Sequence, residues 1–436
     1  MRRHELTKPL RHAVFRRLAA SYVINELGDW MGIIALSVLV FDRTGSALAT
    51  AGLFLGTRFL PALITPVVVA RVEQPAPRFA LPILYCGEAA AFCALALLAD
   101  GDLFLPGVIV LAAIDGTLAL TGRSLTRGVV AALLEPSGEL RAGNALLNVA
   151  LTVSAAIGPG VAGLIVAGFG VQTALLLDAA SFYVIAWLLL TAGPLPQAKP
   201  EAGLVRERLR AGIAYLRKER NLRRLLIAQG AAFVFFAAVI PIEVVYAKQT
   251  LGTGDSGYGI MLASWGVGMM LGSVVFAAAQ KVRLPILLFF STLAVGVGYL
   301  GIAASPTLAA ACGASVIGGA GNGVQWVSVI SAVQELTAQN MQARMMSVLS
   351  STATAMPAVG YVLGAVVAVA LDPRVTFLVA GLGVLCIALL AAFSMGSKWL
   401  DSGEKTRPAA LDAEDEIMVE LIPVGESPVR PAYRRS

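Results

Sequence analysis

The sequence predicts an all-α membrane protein with twelve transmembrane helices in two six-helix bundles and both termini in the cytoplasm. Three observations carry that expectation. Hydrophobic residues fill 57% of the 436 positions and charged residues only 14%, against roughly 25% charged in a soluble chain. The apolar residues fall into separate runs of about twenty, each long enough to cross a hydrocarbon core of roughly 30 Å as a helix. The runs also lack the two-residue alternation of a membrane barrel strand.

In order, the runs lie near residues 18–41, 47–70, 79–99, 105–128, 142–168, 171–192, 224–247, 256–279, 284–304, 307–332, 343–370 and 374–396. An even count puts both ends on one side. Arg2, Arg3, Lys8, Arg11, Arg16 and Arg17 precede the first run, and Arg71, Arg78, Arg127, Arg141, Lys281 and Arg283 mark alternate loops. The loops at 99–102, 168–173 and 304–307 carry no Lys or Arg. The positive-inside rule therefore orients the termini to the cytoplasm, in a multi-pass protein of the cell inner (plasma) membrane.

Five segments follow. A basic N-terminus covers 1–17, a first bundle 18–192, a basic linker 193–223, a second bundle 224–396 and a mixed-charge tail 397–436. In the linker, Arg206, Arg208, Arg210, Arg217, Lys218, Arg220 and Arg223 interleave with Leu204, Leu209, Ile213 and Leu216. That pattern reads as an amphipathic helix on the inner surface beside anionic lipid headgroups, and not as a nucleic-acid site. The Pro-containing tail is expected to be disordered. IGPGVAGLIVAG (157–168) and MPAVGYVLGAVVA (356–368) each place glycines after a proline, at an offset of about 200 residues that matches half the membrane region.

Enzyme chemistry has few visible groups. Both histidines, His4 and His12, lie in the basic N-terminus, and Cys86, Cys93, Cys312 and Cys386 stand apart in apolar runs, where they read as small buried hydrophobes. No Ser/His/Asp arrangement lies within the spans and no phosphate-cradling loop appears. The expectation is a non-enzyme without cofactor or metal.

Several stretches resemble one family. LGDW (27–30), FDRTGSALATAGL (41–53), the LP at 60–61, ELRAGNALLNVALTVSAAIGPGVAGLIVAG (139–168) and LLLDAASF (175–182) make the chain resemble the major facilitator superfamily. Within it, the likeness is to twelve-helix bacterial drug/proton antiporters, the branch of macrolide-efflux-like pumps and the enterobactin exporter. The resemblance implies two bundles rocking around a cavity lined mainly by the first, fourth, seventh and tenth helices. It also implies a monomer in which proton influx drives a small molecule outward, with membrane lipids as the other partner. In the loop after the second helix the resemblance places Glu73 at an aspartate position and keeps Arg78, a reduced version of a latch between the bundles. Gln74 replaces the usual arginine. SAAIGPGVAG (154–163) is similar to the antiporter motif, with Gly158, Pro159 and Gly163 as its hinge; close helix packing is the alternative reading.

The charges inside the spans set the site hypotheses, because an ionisable group there must face protein or water. Ser21, Asn25 and Asp29 recur every four residues on one face, with Glu26 on its flank. Arg58 in FLGTRFLP is expected to pair with Asp29, each offsetting the desolvation of the other. Glu26 is then the more titratable acid. An ionic clasp between the first two helices and a proton- or substrate-handling site remain the two readings. Asp115, at mid-depth of the fourth helix, is the third proton-coupling candidate. Glu88 and Asp178 read mainly as packing, with Ser181 within bonding reach of Asp178. Trp30, Asn25, Glu243, Asn322 and Gln325 are candidates for the substrate cavity, and Phe54, Phe233, Phe236 and Trp265 could add apolar walls. An acidic cavity implies a cationic or amphiphilic substrate exchanged for protons. A dedicated exporter of a siderophore or lipid-like metabolite is the alternative within the fold, and a non-transporting scaffold or membrane-embedded enzyme the alternative outside it.

Overall fold

The structure is a computed structural model, and it describes residues 7–72, 79–101, 104–192, 195–196, 215–279, 282–338 and 341–401. Glu73, Arg78, most of the linker and the tail beyond Asp401 lie outside the described residues. The described chain is helical, with no strand among the described residues.

The first helix, α1, spans Ala13–Thr44. Gly45, at φ 59°, ends it in the left-handed conformation that a glycine adopts without steric cost, and its N–H closes on the Phe41 carbonyl at 2.7 Å. One residue later the Ser46 hydroxyl accepts the Ala49 N–H at 3.3 Å and starts α2. That helix runs as Ala47–Phe54, widens to a π-turn over Leu55–Phe59 and continues over Leu60–Val72. Pro61 has no N–H for the Thr57 carbonyl one turn back. The carbonyl instead faces the fourth helix, where a Cβ added to Gly116 would lie 2.5 Å from it.

The third and fourth helices, α3 and α4, span Ala80–Asp100 and Leu105–Leu134. Next comes a helical stretch of 51 residues, Leu140–Leu190, broken at Gly170 (φ 83°, ψ 165°). Unbroken it would reach about 77 Å, more than twice a hydrocarbon core. It is instead two helices, α5 before Gly170 and α6 after it. Packing shows that they fold back: Gly158 of α5 lies against Trp30, and Asp178 of α6 lies against Gly28 and Gly32. Residues 158 and 178 sit at the same level of α1, although a straight helix would part them by about 30 Å.

The second half begins with α7, Arg220–Thr250, which tightens over Ile240–Ile242 and ends in a second π-turn at Tyr246–Thr250. Then follow α8 (Gly254–Ala278), α9 (Leu284–Ala304), α10 (Leu308–Glu335), α11 (Gln342–Ala370) and α12 (Pro373–Asp401). The compact body extends to Ser394; of a separate unit from Met395 to Ser436, only the last turns of α12 are described.

Among the described residues, eleven helices are long and apolar enough to cross a membrane, and the fold-back within Leu140–Leu190 makes one of them two. Large apolar side chains cover the outside, among them Leu97, Phe169, Trp187, Val274 and Phe393. Such a surface suits lipid, so the protein is a multi-pass membrane protein.

The first half meets the second along two lines. On one, α5 crosses α8 at backbone distance: a Cβ on Gly163 would stand 2.7 Å from the Gly259 Cα. On the other, α2 meets α11, with Phe54 and Tyr361 rings 5.6 Å apart. Several helices outrun their predicted spans because polar residues continue the ladder past the apolar run. The fourth ends at Leu134, not 128, and the first begins at Ala13, not 18.

Candidate functional site

The polar face predicted on the first helix exists, but its cation comes from elsewhere. Arg123 of α4, not Arg58, bonds Asp29, and the same guanidinium nitrogen stands 3.3 Å from Glu26 Oε1. Asn25 donates to Asp29 Oδ2 at 3.5 Å. Arg58 forms no ion pair among the described residues. The expected Asp29–Arg58 pairing is therefore corrected, for a geometric reason: α4 continues to Leu134, so Arg123 stands eleven residues, about 17 Å, before its end. It is a mid-bundle residue rather than one at a membrane edge.

One cation thus serves two carboxylates. Glu26 is only 3% exposed, and it meets the cation through charge rather than a hydrogen bond: the nitrogen that bonds Asp29 is also the one nearest Glu26, whose Oε1 has no hydrogen-bond partner among the described residues. Removing Arg123 would leave two neighbouring acids without a cation, Asp29 keeping only the Asn25 amide as a side-chain partner.

Three further acids gather behind this pair. Glu88 of α3 is fully buried, and neither of its oxygens has a hydrogen-bond partner among the described residues. It lies across from Gly122 of α4, where an added Cβ would stand 3.8 Å from Glu88 Oε1. Asp178 of α6 accepts from Ser181 at 3.3 Å and fills the slot left by Gly28 and Gly32. Asp115 of α4 has a sealed Oδ1 without a partner. Acids predicted singly from four different helices are therefore neighbours in the first half.

A cavity of about 680 Å³ adjoins this cluster. One wall carries Asp29, Asp115 and Arg123, with Thr57 and Arg58 of α2 beside them, and the facing wall is α11 from Ser347 to Tyr361. The lining residues place it about mid-depth, with Asp29 to Leu36 in the later half of α1 and Ser347 onward in α11 extending it toward the end where α1 begins. At the opposite end Lys248, in the π-turn of α7, stands 2.5 Å from both Asp42 of α1 and Asp255 of α8. That cation ties the two halves where α1 ends.

The other sequence candidates divide. Asn322 and Gln325 do line a cavity, but a separate one of about 200 Å³ within the second half, with Gln229, Phe233, Phe236 and Trp326. Gln325 donates to Thr292 Oγ1 at 3.0 Å. Trp30 does not line either cavity; it packs on Gly158 at the α1–α5 contact. Asn25 is likewise buried beside Asp29, and Glu243 lies on α7 outside both cavity linings. Gly158, Pro159 and Gly163 fall on α5, where Gly163 and the Pro159 carbonyl meet Gly259 of α8. Sequence reasoning missed Arg123, Lys248 and the α11 hydroxyls. Ser347, Ser350, Ser351 and Thr354 carry a readable signal, a spacing of three and four on one helix face.

Comparison with known proteins agrees with this architecture. In solved structures, the nucleoside transporter NupG has a TM-score of 0.71 at 13% identity, covering 88% of this chain and 98% of its own. A bacterial homologue of the human lysosomal transporter Spinster, in an inward-facing and unoccupied conformation, scores 0.65 at 14% identity and covers 91% of this chain and 97% of its own. A POT family transporter in complex with 5-aminolevulinic acid scores 0.66 at 15% identity, covering 88% and 96%. At such identities the likeness concerns the fold alone. No curated protein matches the chain in sequence. Residues 6–417 match a family described as transmembrane secretion effector, within the major facilitator superfamily. The chain belongs to that family and is a non-enzymatic membrane transporter with the major facilitator fold.

Proposed function

We propose that the protein is a proton-driven exporter of a small cationic or amphiphilic compound, working by alternating access as a monomer in the cell inner membrane. The observation that supports this most is the position of Asp29, Asp115 and Arg123 on one wall of the 680 Å³ cavity. Carboxylates that are solvent-accessible from the cavity can hold an organic cation or a proton, but not both at full strength. Competition between the two is the elementary form of exchange.

Arg123 gives the exchange a mechanical consequence. While Asp29 is ionised it holds the guanidinium, and with it α4, against α1. A proton on Asp29 removes the charge that Arg123 answers, leaving Glu26 as its remaining anion. Protonation from outside would then displace the bound cation outward and loosen the α1–α4 contact. Loss of the proton to the inside would restore the pair and the cation site together.

Everted membrane vesicles containing the protein provide the test. A panel of cationic dyes and antibiotics should accumulate when a proton gradient is imposed and leave when an uncoupler is added. Uncoupler-insensitive behaviour across the panel would overturn the reading.

A further inference from the structure

The acidic wall explains a preference for cations but ignores the wall it faces. Ser347, Ser350, Ser351 and Thr354 of α11 line the same cavity at spacings of three and four, so their hydroxyls form one stripe. The Ser347, Ser350 and Ser351 hydroxyls make no hydrogen bond among the described residues, and Thr354 donates only to the Ser350 carbonyl of its own helix, at 3.0 Å. Thr352, off the stripe, likewise bonds back to Val348. Each hydroxyl offers one donor and two acceptor positions to whatever enters.

We propose that the larger cavity selects an organic amine bearing several hydroxyl groups, of the amino-sugar type, in preference to a lipophilic cation. A lipophilic cation would displace water from the α11 hydroxyls without replacing its hydrogen bonds. A polyhydroxylated amine replaces them while its ammonium groups meet Asp29 and Asp115 on the opposite wall. The volume of about 680 Å³ lies within the roughly 300–1,000 Å³ of small-molecule sites and accommodates a ligand of a few sugar rings. This inference rests on the reading that the acidic wall takes a cation.

The test is equilibrium binding to the full chain in lipid nanodiscs without a proton gradient, so that a failure of proton coupling leaves the result untouched. Three probes are compared: kanamycin A, spermine as a polyamine without hydroxyls, and tetraphenylphosphonium. Kanamycin A should bind at least about tenfold more tightly than spermine. The combined variant Ser347→Ala, Ser350→Ala, Ser351→Ala, Thr354→Ala should weaken kanamycin A by about tenfold or more while leaving spermine unchanged. A control that keeps the hydroxyls, Ser350→Thr with Thr354→Ser, should bind kanamycin A as the parent does. Unchanged kanamycin A affinity in the fourfold variant, or tighter binding of tetraphenylphosphonium than of kanamycin A to the parent, overturns the proposal. Asp115→Asn reads the acidic wall separately. It should weaken kanamycin A and spermine alike, and if it weakens neither, the cation reading itself fails.

Discussion

Arg123 of α4 bonds Asp29 of α1 across the contact between the two helices, and its guanidinium also reaches Glu26 at 3.3 Å. Two acids on one helix depend on one cation from another. Arg123→Leu should therefore destabilise the protein by about 2–4 kcal/mol, a little below the cost of breaking a fully buried pair because the Arg123 side chain is 30% exposed. Arg58→Leu, which breaks no ion pair among the described residues, should cost less than about 1 kcal/mol. Thermal unfolding of the two variants in the same detergent ranks them, and an equal shift would assign Arg58 a structural weight that its geometry does not show.

Asp29→Asn should abolish proton-coupled transport while the protein still inserts and remains monodisperse. An amide can keep a hydrogen bond to Arg123 but cannot exchange a proton. Vesicle accumulation of a transported dye, read beside the amount of protein in the membrane, separates the two effects. Full transport by this variant would remove Asp29 from the coupling role.

At the α5–α8 crossing there is no room for a side chain on Gly163, whose added Cβ would stand 2.7 Å from the Gly259 Cα. Gly163→Val should force the helices apart at a cost of about 1–3 kcal/mol. Gly168 has open space at the same Cβ position, and Gly168→Ala should be neutral or slightly stabilising as a helix former. The midpoint of thermal unfolding distinguishes them.

Lys248→Ala should change accessibility more than stability. Its partner Asp42 has a side chain 46% exposed, and exposed ion pairs contribute about 0.2–1 kcal/mol each. Losing both pairs, the one to Asp255 being less exposed at 23%, is nevertheless enough to shift a conformational equilibrium about twofold or more. With the native cysteines replaced and a cysteine at Leu36, a membrane-impermeant thiol reagent applied from the side where α1 ends should label the Lys248→Ala protein faster than its parent. Identical labelling rates would mean that the tie does not hold that end closed.

Within the second half, Gln325→Leu should remove the 3.0 Å bond to Thr292 and cost about 1 kcal/mol. Thr292 retains its 2.7 Å bond to the Leu288 carbonyl, which keeps the loss small. The effect is read as a modest fall in the unfolding midpoint.

The fold was legible because the bilayer allows few alternatives: apolar runs of helical length must be helices, and eleven described helices are long and apolar enough to span, one of them folding back on itself. The break between 168 and 171 was legible too, through its glycines, although the helical ladder runs almost continuously through it. The site was legible only in part. Asp29, Asp115 and Arg58 were singled out and do line one cavity, because a charge in an apolar run stands out by its cost. The partner of Asp29 was not legible. Choosing between Arg58 and Arg123 required the depth of each helix and the direction each face turns, and apolar runs define neither end closely. Hydroxyls posed the opposite difficulty. Ser347, Ser350, Ser351 and Thr354 cost little in a membrane helix, since each can bond back to its own backbone, and so their spacing of three and four, though readable, does not stand out as a charge does.

The two walls of the larger cavity belong to different halves of the chain, the acids to the first and α11 to the second. Thermodynamic linkage then separates what a proton and a bridging molecule can do. A proton on Asp29 acts on one half only, whereas a ligand held by both walls gains contacts that vary with the distance between the halves. Only such differential contact lets a ligand bias one arrangement over another. Affinity for a bridging molecule is therefore a readout of how far apart the halves stand, and the tighter it is held, the more its departure must be driven by separating the walls.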